Sequence, residues 1–175
     1  MKKTTLLIFA LFIASTAFAQ KGAMKIEPSL VLTTSYTGTG MGFGGNGTFF
    51  YGINKNIDLT ATLGYLHWSY DAIDGSRSSV PLLFGARYSF VTNGALTPYA
   101  SAEIGIHFIN DSYEIPGIAG WTAAQTISAS STEFGIGLGG GAYYNLGNII
   151  LDGNLQFNSI DGSIFSFEIG ALFAL

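Results

Sequence analysis

Between Leu151 and Asn158 the chain alternates without a break. Ile149, Leu151, Gly153, Leu155 and Phe157 fall on one side, and Asp152, Asn154, Gln156 and Asn158 fall on the other. A period of two belongs to a β-strand with two chemically distinct faces. The pattern recurs at Ile57 to Tyr65, where Ile57, Leu59, Ala61, Leu63 and Tyr65 oppose Asp58, Thr60, Thr62 and Gly64. Six further segments, 27–36, 41–53, 80–91, 96–109, 133–144 and 164–175, read the same way, each ended by Gly, Asn, Asp or Ser. Helical period is hard to find past residue 25. Eight strands follow.

Composition narrows where such strands can reside. Of the 175 residues 48% are hydrophobic, only 10% are charged and none is cysteine. Soluble domains carry about 25% charged residues. Yet no stretch after residue 19 approaches the ~18 to 20 apolar residues of a spanning helix. The counts also argue against disorder, a disulfide scaffold and a thiolate metal site. Residues 1–19 read as a signal peptide: Lys2 and Lys3 precede the apolar run Leu6 to Ala14, and Ala17-Phe18-Ala19 offers the small residues of a cleavage site. Residues 20–175 then form a single domain, in which five basic residues face eleven acids, a net charge of −6. Nucleic acid is not expected as a partner.

The connections alternate in length. Asn54 to Asn56, Thr92 to Ala95 and Asn145 to Asn148 are short. Thr37 to Gly40, Asp71 to Ser79, Asn110 to Thr132 and Asp161 to Ser163 are longer or more variable. Tight turns at one rim and looser loops at the other describe an up-and-down transmembrane β-barrel. Bulk decides which face is inside. In the sixth strand Phe134, Ile136, Leu138, Gly140, Ala142 and Tyr144 oppose Glu133, Gly135, Gly137, Gly139, Gly141 and Tyr143. A row of four glycines builds no hydrophobic core but suits a crowded lumen, so the apolar faces look outward to lipid. Aromatics on that face gather near the strand ends: Tyr36, Phe43, Tyr65, Phe108, Phe134, Phe157 and Phe165 toward the loops, Tyr51, Tyr88, Phe90, Tyr144 and Phe173 toward the turns. The ten steps from Phe134 to Tyr144, at ~3.3 Å rise and ~40° tilt, give a band roughly 25 Å tall.

Thr97-Pro98-Tyr99 running to Glu103-Ile104-Gly105, the glycine-patterned Phe134 to Tyr144, the turn Asn145 to Asn148 and the alternating strand after it carry a resemblance. Over essentially the whole of residues 20–175 the chain is similar to the small OmpA/OmpX-type outer-membrane β-barrel family. The resemblance implies an all-β, eight-stranded antiparallel fold in a Gram-negative outer membrane, in contact with its lipid and lipopolysaccharide and inserted by the barrel-assembly machinery. Members of the family end on an aromatic residue that this machinery reads. Here the chain ends Phe173-Ala174-Leu175, with alternation kept at Phe167, Ile169, Ala171, Phe173 and Leu175.

An eight-stranded barrel is just wide enough for side chains to fill. The expected lumen cluster comprises Arg87, Glu103, Asp152, Asn154, Gln156 and Glu168, with Asp58 and Glu133 nearer the ends and Tyr99, His107 and Tyr143 among them. Arg87 is its one expected cation, placed to contact Glu103 across the fourth and fifth strands. Several acids then lack a partner, which requires either a wet lumen or at least one carboxyl that holds its proton. His67 and Ser69, with Asp71 in the following loop, resemble the His-x-Ser pair of a lipid A deacylase family, but no acid follows at that family's spacing on the next strand. Interfacial polar residues are the preferred reading. His107 has no companion at metal-ligand spacing, and neither a metal nor a cofactor is expected. In the loop Asn110 to Thr132, Tyr113, Ile115, Ile118 and Trp121 are the candidate contact residues for a surface ligand. The sequence thus points to a monomeric, non-enzymatic envelope-structural or adhesin-like surface protein. A narrow channel for ions or small molecules is the first alternative and a lipid A-modifying acyl hydrolase the second. A soluble periplasmic barrel that binds a greasy ligand is a further possibility, separable by fractionation without detergent.

Overall fold

In a computed structural model the chain is a closed antiparallel β-barrel. It describes residues 22–34, 39–70, 74–90, 94–115, 125–147, 149–160 and 162–175. The leader and its cleavage site therefore lie outside the described residues. The strands are β1 Met24–Thr33, β2 Gly42–Gly52, β3 Ile57–Ser69, β4 Gly75–Ser89, β5 Leu96–Ile115, β6 Gln125–Asn145, β7 Ile150–Ser159 and β8 Ser163–Ala174. Each pairs with its chain neighbours, and β1 closes the ring against β8 from Lys25↔Ala174 to Thr33↔Ser166. The C-terminus is tied in as well, because Leu175 N donates to Met24 O at 2.9 Å. Among the described residues no sheet edge is left around the closed part of the wall, which removes the aggregation hazard of an open sheet there.

Turn chemistry explains the short rim. Asn54 Oδ1 accepts from the amides of Asn56 and Ile57 at 2.8 and 3.0 Å, and Asn145 Oδ1 accepts from Gly147 N at 2.7 Å. Gly147 takes a φ of 96°, where a side chain would be strained. Pro81 has no N–H, and the β3–β4 pairing skips there, from Leu63↔Leu82 to Leu66↔Ser79.

Sidedness follows the expected assignment. Leu30, Leu63, Phe84, Ile104, Leu138, Leu155 and Ile169 are exposed on the outer wall, while Thr48, Thr62, Glu103, Asn154, Gln156 and Ser166 are buried inside. A soluble ligand-binding barrel has the opposite distribution. The four inward glycines of β6 make room for their neighbours. A Cβ on Gly135 would meet the His107 ring at 2.9 Å, one on Gly139 would meet Ser101 Oγ at 2.8 Å, and those on Gly137 and Gly141 would run into Gln156 and Tyr99.

The loop rim differs from expectation. Asn110 to Thr132 is mostly strand: β5 continues to Ile115 and β6 begins at Gln125, paired from Ile106↔Phe134 up to Ile115↔Gln125. Likewise β3 runs on to Ser69 and β4 begins at Gly75. Because β7 pairs with β6 only from Ile136 onward, β3 to β6 rise beyond the barrel on that side, while β3 stays flanked by Thr39 to Phe43 through Phe43↔His67 and the Thr39↔Tyr70 bridge. The seven steps from Phe108 to Ile115 add roughly 18 Å of height at ~3.3 Å rise and ~40° tilt.

Candidate functional site

The lumen is layered. Near the turn rim β4 brings Arg87 inward, 2% exposed, against β1, β5, β6 and β7. Its Nη1 donates to Asp152 Oδ2 at 2.7 Å, Tyr143 Oη at 3.1 Å and Glu27 Oε2 at 3.2 Å. The guanidinium lies 4.8 Å from the ring centroids of both Phe50 and Tyr99, and Tyr99 stacks on Tyr143 at 4.6 Å. Tyr99 also donates to Asp152 Oδ1 at 2.8 Å. A planar cation with five donors suits such a site, where carboxylates take its edge and aromatic rings its faces.

This arrangement corrects one expected contact. Arg87 does not reach Glu103, because the β4–β5 register sets Arg87 opposite Ser101 and Glu103 opposite Gly85, and the guanidinium crosses instead to Glu27 and Asp152. Glu103 accepts from Gln156 Nε2 at 3.0 Å, and Glu168 accepts from Asn46 Nδ2 at 2.9 Å. Asn154 lies between these levels on β7, with Asp152 and Gln156 two residues to either side. All six expected lumen residues are therefore inside, but they divide into an Arg87 layer and an amide-to-carboxylate layer. Sequence reading missed Glu27, Phe50 and Lys25. Glu27 was legible, since it shares the face of Ser29 and Thr33 opposite Leu30 and Leu32. A second cation also serves the interior: Lys25 Nζ pairs with Asp58 at 2.9 Å in the turn-side mouth.

Toward the loop rim the lumen turns apolar. Val31, Leu66, Trp68, Ile109, Ile160 and Ile164 form one buried cluster above His107. His107 Nδ1 lies 3.3 Å from Ser79 Oγ. Below that cluster the interior keeps a cavity of only ≈ 20 Å³, lined by Asn46, Arg87, Glu103, His107 and Glu168 among others, which is space for about one water. A wider recess of ≈ 480 Å³ opens at the turn rim, floored by Tyr143 and Leu172. The interior is open at that mouth and packed above it.

Above the apolar cluster, on the inner face of the protruding sheet, Arg77 Nε and Nη2 donate to Asp111 at 2.7 and 2.9 Å. Tyr70 Oη donates to Asp111 at 2.7 Å and lies 2.9 Å from Tyr113 Oη. These bonds hold the Asp111 carboxyl below the usual aspartate range, Arg77 contributing most. Burial, with the neighbouring hydroxyl and carboxylate, raises Tyr70 above the usual phenol range. Among the expected contact residues, Tyr113 joins this cluster and Ile115 is exposed at the tip. Ile118 and Trp121 lie outside the described residues.

His67 and Ser69 face outward, with Trp68 turned into the lumen. The His67 ring packs edge-on against Phe43 at 5.8 Å. Asp71 lies outside the described residues. Among the described residues no group of three or more His, Cys, Asp or Glu is placed to hold a metal ion.

No protein-family model and no curated protein matches the chain. Solved structures do. The chain is similar to a major outer membrane protein from Thermus thermophilus at a TM-score of 0.69 and 15% identity, covering 89% of this chain and 100% of that one. It is similar to Ail, the attachment invasion locus protein of Yersinia pestis, at 0.58 and 17%, covering 87% and 97%; Ail is also known in complex with the heparin analogue sucrose octasulfate. Neisserial surface protein A is matched at 0.53 and 18%, covering 87% and 95%. At these identities the likeness is one of fold: this chain has the fold of the small OmpA/OmpX-type outer-membrane β-barrels.

Proposed function

We propose that the chain is a non-enzymatic outer-membrane surface protein of a Gram-negative bacterium, exported by the leader at residues 1–19 and folded by the barrel-assembly machinery into a monomer. In this reading the closed barrel anchors the protruding sheet, and the sheet makes the contacts. The observation that carries it is the free edge of β6. From Gln125 to Gly135 this strand pairs with β5 on one side and, among the described residues, with no strand on the other. Such an edge offers main-chain donors and acceptors to an extended partner segment. Anchoring on a rigid scaffold supports a binding role for the sheet, and the complex of Ail with a heparin analogue supports surface-ligand contact for this fold.

Channel activity fits the lumen less well, because the Arg87 layer and the apolar cluster close it at two levels. Acyl hydrolysis fits less well too. A serine nucleophile needs a base oriented by a third group, and the described partner of the His67 ring is Phe43. Expression should leave lipid A mass spectra unchanged. The direct test deletes Ser112 to Ser130. The shortened protein should keep its heat-modifiable folding and lose binding to cells or matrix, whereas unchanged binding would remove the surface-contact role.

A further inference from the structure

On the outward face of the protruding sheet the cross-strand register assembles two polar rows. Ser69, Ser76, Ser112 and Ser128 stand side by side across β3 to β6, and His67, Ser78, Asn110 and Ser130 form the row beneath. One step further down the face turns apolar, with Val80 beside Phe108, and then Leu82, Ile106 and Phe134 together. The change from Phe108 to Asn110 and from Val80 to Ser78 therefore marks where the hydrocarbon band ends. A groove of ≈ 440 Å³ straddles that boundary, lined by Val80, Phe108 and Thr132 in the lower row and by Ser78, Asn110 and Ser130 in the row above. Its lower part suits an acyl chain or glycerol stem and its upper part a hydroxylated headgroup.

Charge selects the headgroup. Through the loop-side segments 34–43, 66–79, 106–134 and 158–166 the sequence contains one basic residue, Arg77, against Asp71, Asp74, Asp111, Glu114, Glu133 and Asp161. Arg77 is turned to the inner face and paired twice with Asp111. Phosphate recognition draws on Arg, Lys or clustered amides, and a polyanion approaching this end meets net negative charge. Hydroxyl and amide side chains, by contrast, exchange hydrogen bonds with sugar hydroxyls at no cost in charge.

We infer that the outer face of β3 to β6, around Ser78, Asn110 and Ser130, binds the uncharged sugar headgroup of an outer-leaflet glycolipid, not a phosphorylated one. The inference rests on the membrane reading above and adds the class of lipid. The test places the full chain in phosphatidylcholine nanodiscs doped with digalactosyl diacylglycerol or with diphosphoryl lipid A, with and without EDTA, and reads retained lipid by native mass spectrometry. The neutral glycolipid should be enriched over phosphatidylcholine. That enrichment should fall roughly tenfold in the combined variant Ser78→Ala, Asn110→Ala, Ser130→Ala, with heat-modifiable folding unchanged. Substituting Ser76, Ser112 and Ser128 by Ala is the second variant, and it should weaken retention without affecting insertion. Enrichment of lipid A that EDTA abolishes would instead mean cation-bridged phosphate binding by the acids and would overturn the inference. So would glycolipid retention that neither variant alters. Insertion without enrichment overturns the headgroup site alone, while failure of the unaltered chain to insert overturns the membrane reading along with it.

Discussion

Arg87 occupies a position where substitution has a calculable direction. It neutralises Glu27 and Asp152 in a layer where all three are almost fully buried. Removing one member of a buried ion cluster leaves charge without compensation, which typically costs about 3 to 5 kcal/mol. Arg87→Ala should therefore lower the unfolding free energy in phospholipid vesicles by about that amount. Adding Glu27→Gln and Asp152→Asn should recover much of the loss, because the orphaned charges go with it. Urea titration of the two variants against the unaltered chain checks both signs. The inward glycines make a second, finer test. A methyl group on Gly141 meets the carbonyl of Gly153 and the Tyr99 ring, whereas one on Gly153, facing outward, meets nothing within 4 Å. Gly141→Ala should cost about 1 to 3 kcal/mol, the usual penalty of overpacking, while Gly153→Ala should be close to neutral in the same titration.

At the scale of the element, the strands of the closed barrel wall were legible and those above it were not, for one physical reason. Period-two alternation arises where one strand face is the apolar outer wall and the other meets the polar lumen. That is why Ile57 to Tyr65 and Ile149 to Asn158 could be placed with their faces assigned from residues alone. Past Phe108 and before Phe134 both faces of the sheet are polar or mixed, the alternation vanishes, and Asn110 to Thr132 reads as loop although Ile115↔Gln125 still pairs. The inward set was legible from the same parity, but the partner of Arg87 was not. That choice depends on which side chains meet across the lumen, not on neighbours along a strand. The protruding sheet also carries its own pH dependence. Asp111 has its carboxyl pKa depressed by Arg77 and Tyr70, so its contribution is complete above the unfolded aspartate value of about 3.9 and is lost as pH falls through the lower folded value. The near-UV circular dichroism of Tyr70 and Tyr113 should hold down to about pH 4 and fade below it, with the far-UV barrel signal retained. Asp111→Asn should show no such step, and a step that persists in this variant would assign the transition to another group.

For the whole molecule the decisive property is whether anything crosses it. The lumen opens at the turn rim in a ≈ 480 Å³ mouth, but the path inward meets first the Tyr99 and Tyr143 stack around Arg87 and then the cluster of Val31, Leu66, Trp68, Ile109, Ile160 and Ile164. An ion passing Arg87 must break a doubly paired guanidinium, and one passing Trp68 must shed its hydration among apolar side chains. Each barrier alone is of the order of several kcal/mol. The two lie in series at opposite ends of the interior, so loosening one leaves the other in place. The chain in planar bilayers should accordingly show no steady stepwise conductance. Trp68→Ala with Ile109→Ala, which empties the upper barrier, should stay silent as well, and conductance should emerge only when Arg87→Ala is added. Steady current from the unaltered chain that Glu103→Gln reduces would identify a cation path along the amide and carboxylate layer, and the barrel would then have to be read as a narrow channel, not as the closed stem of a surface-contact protein.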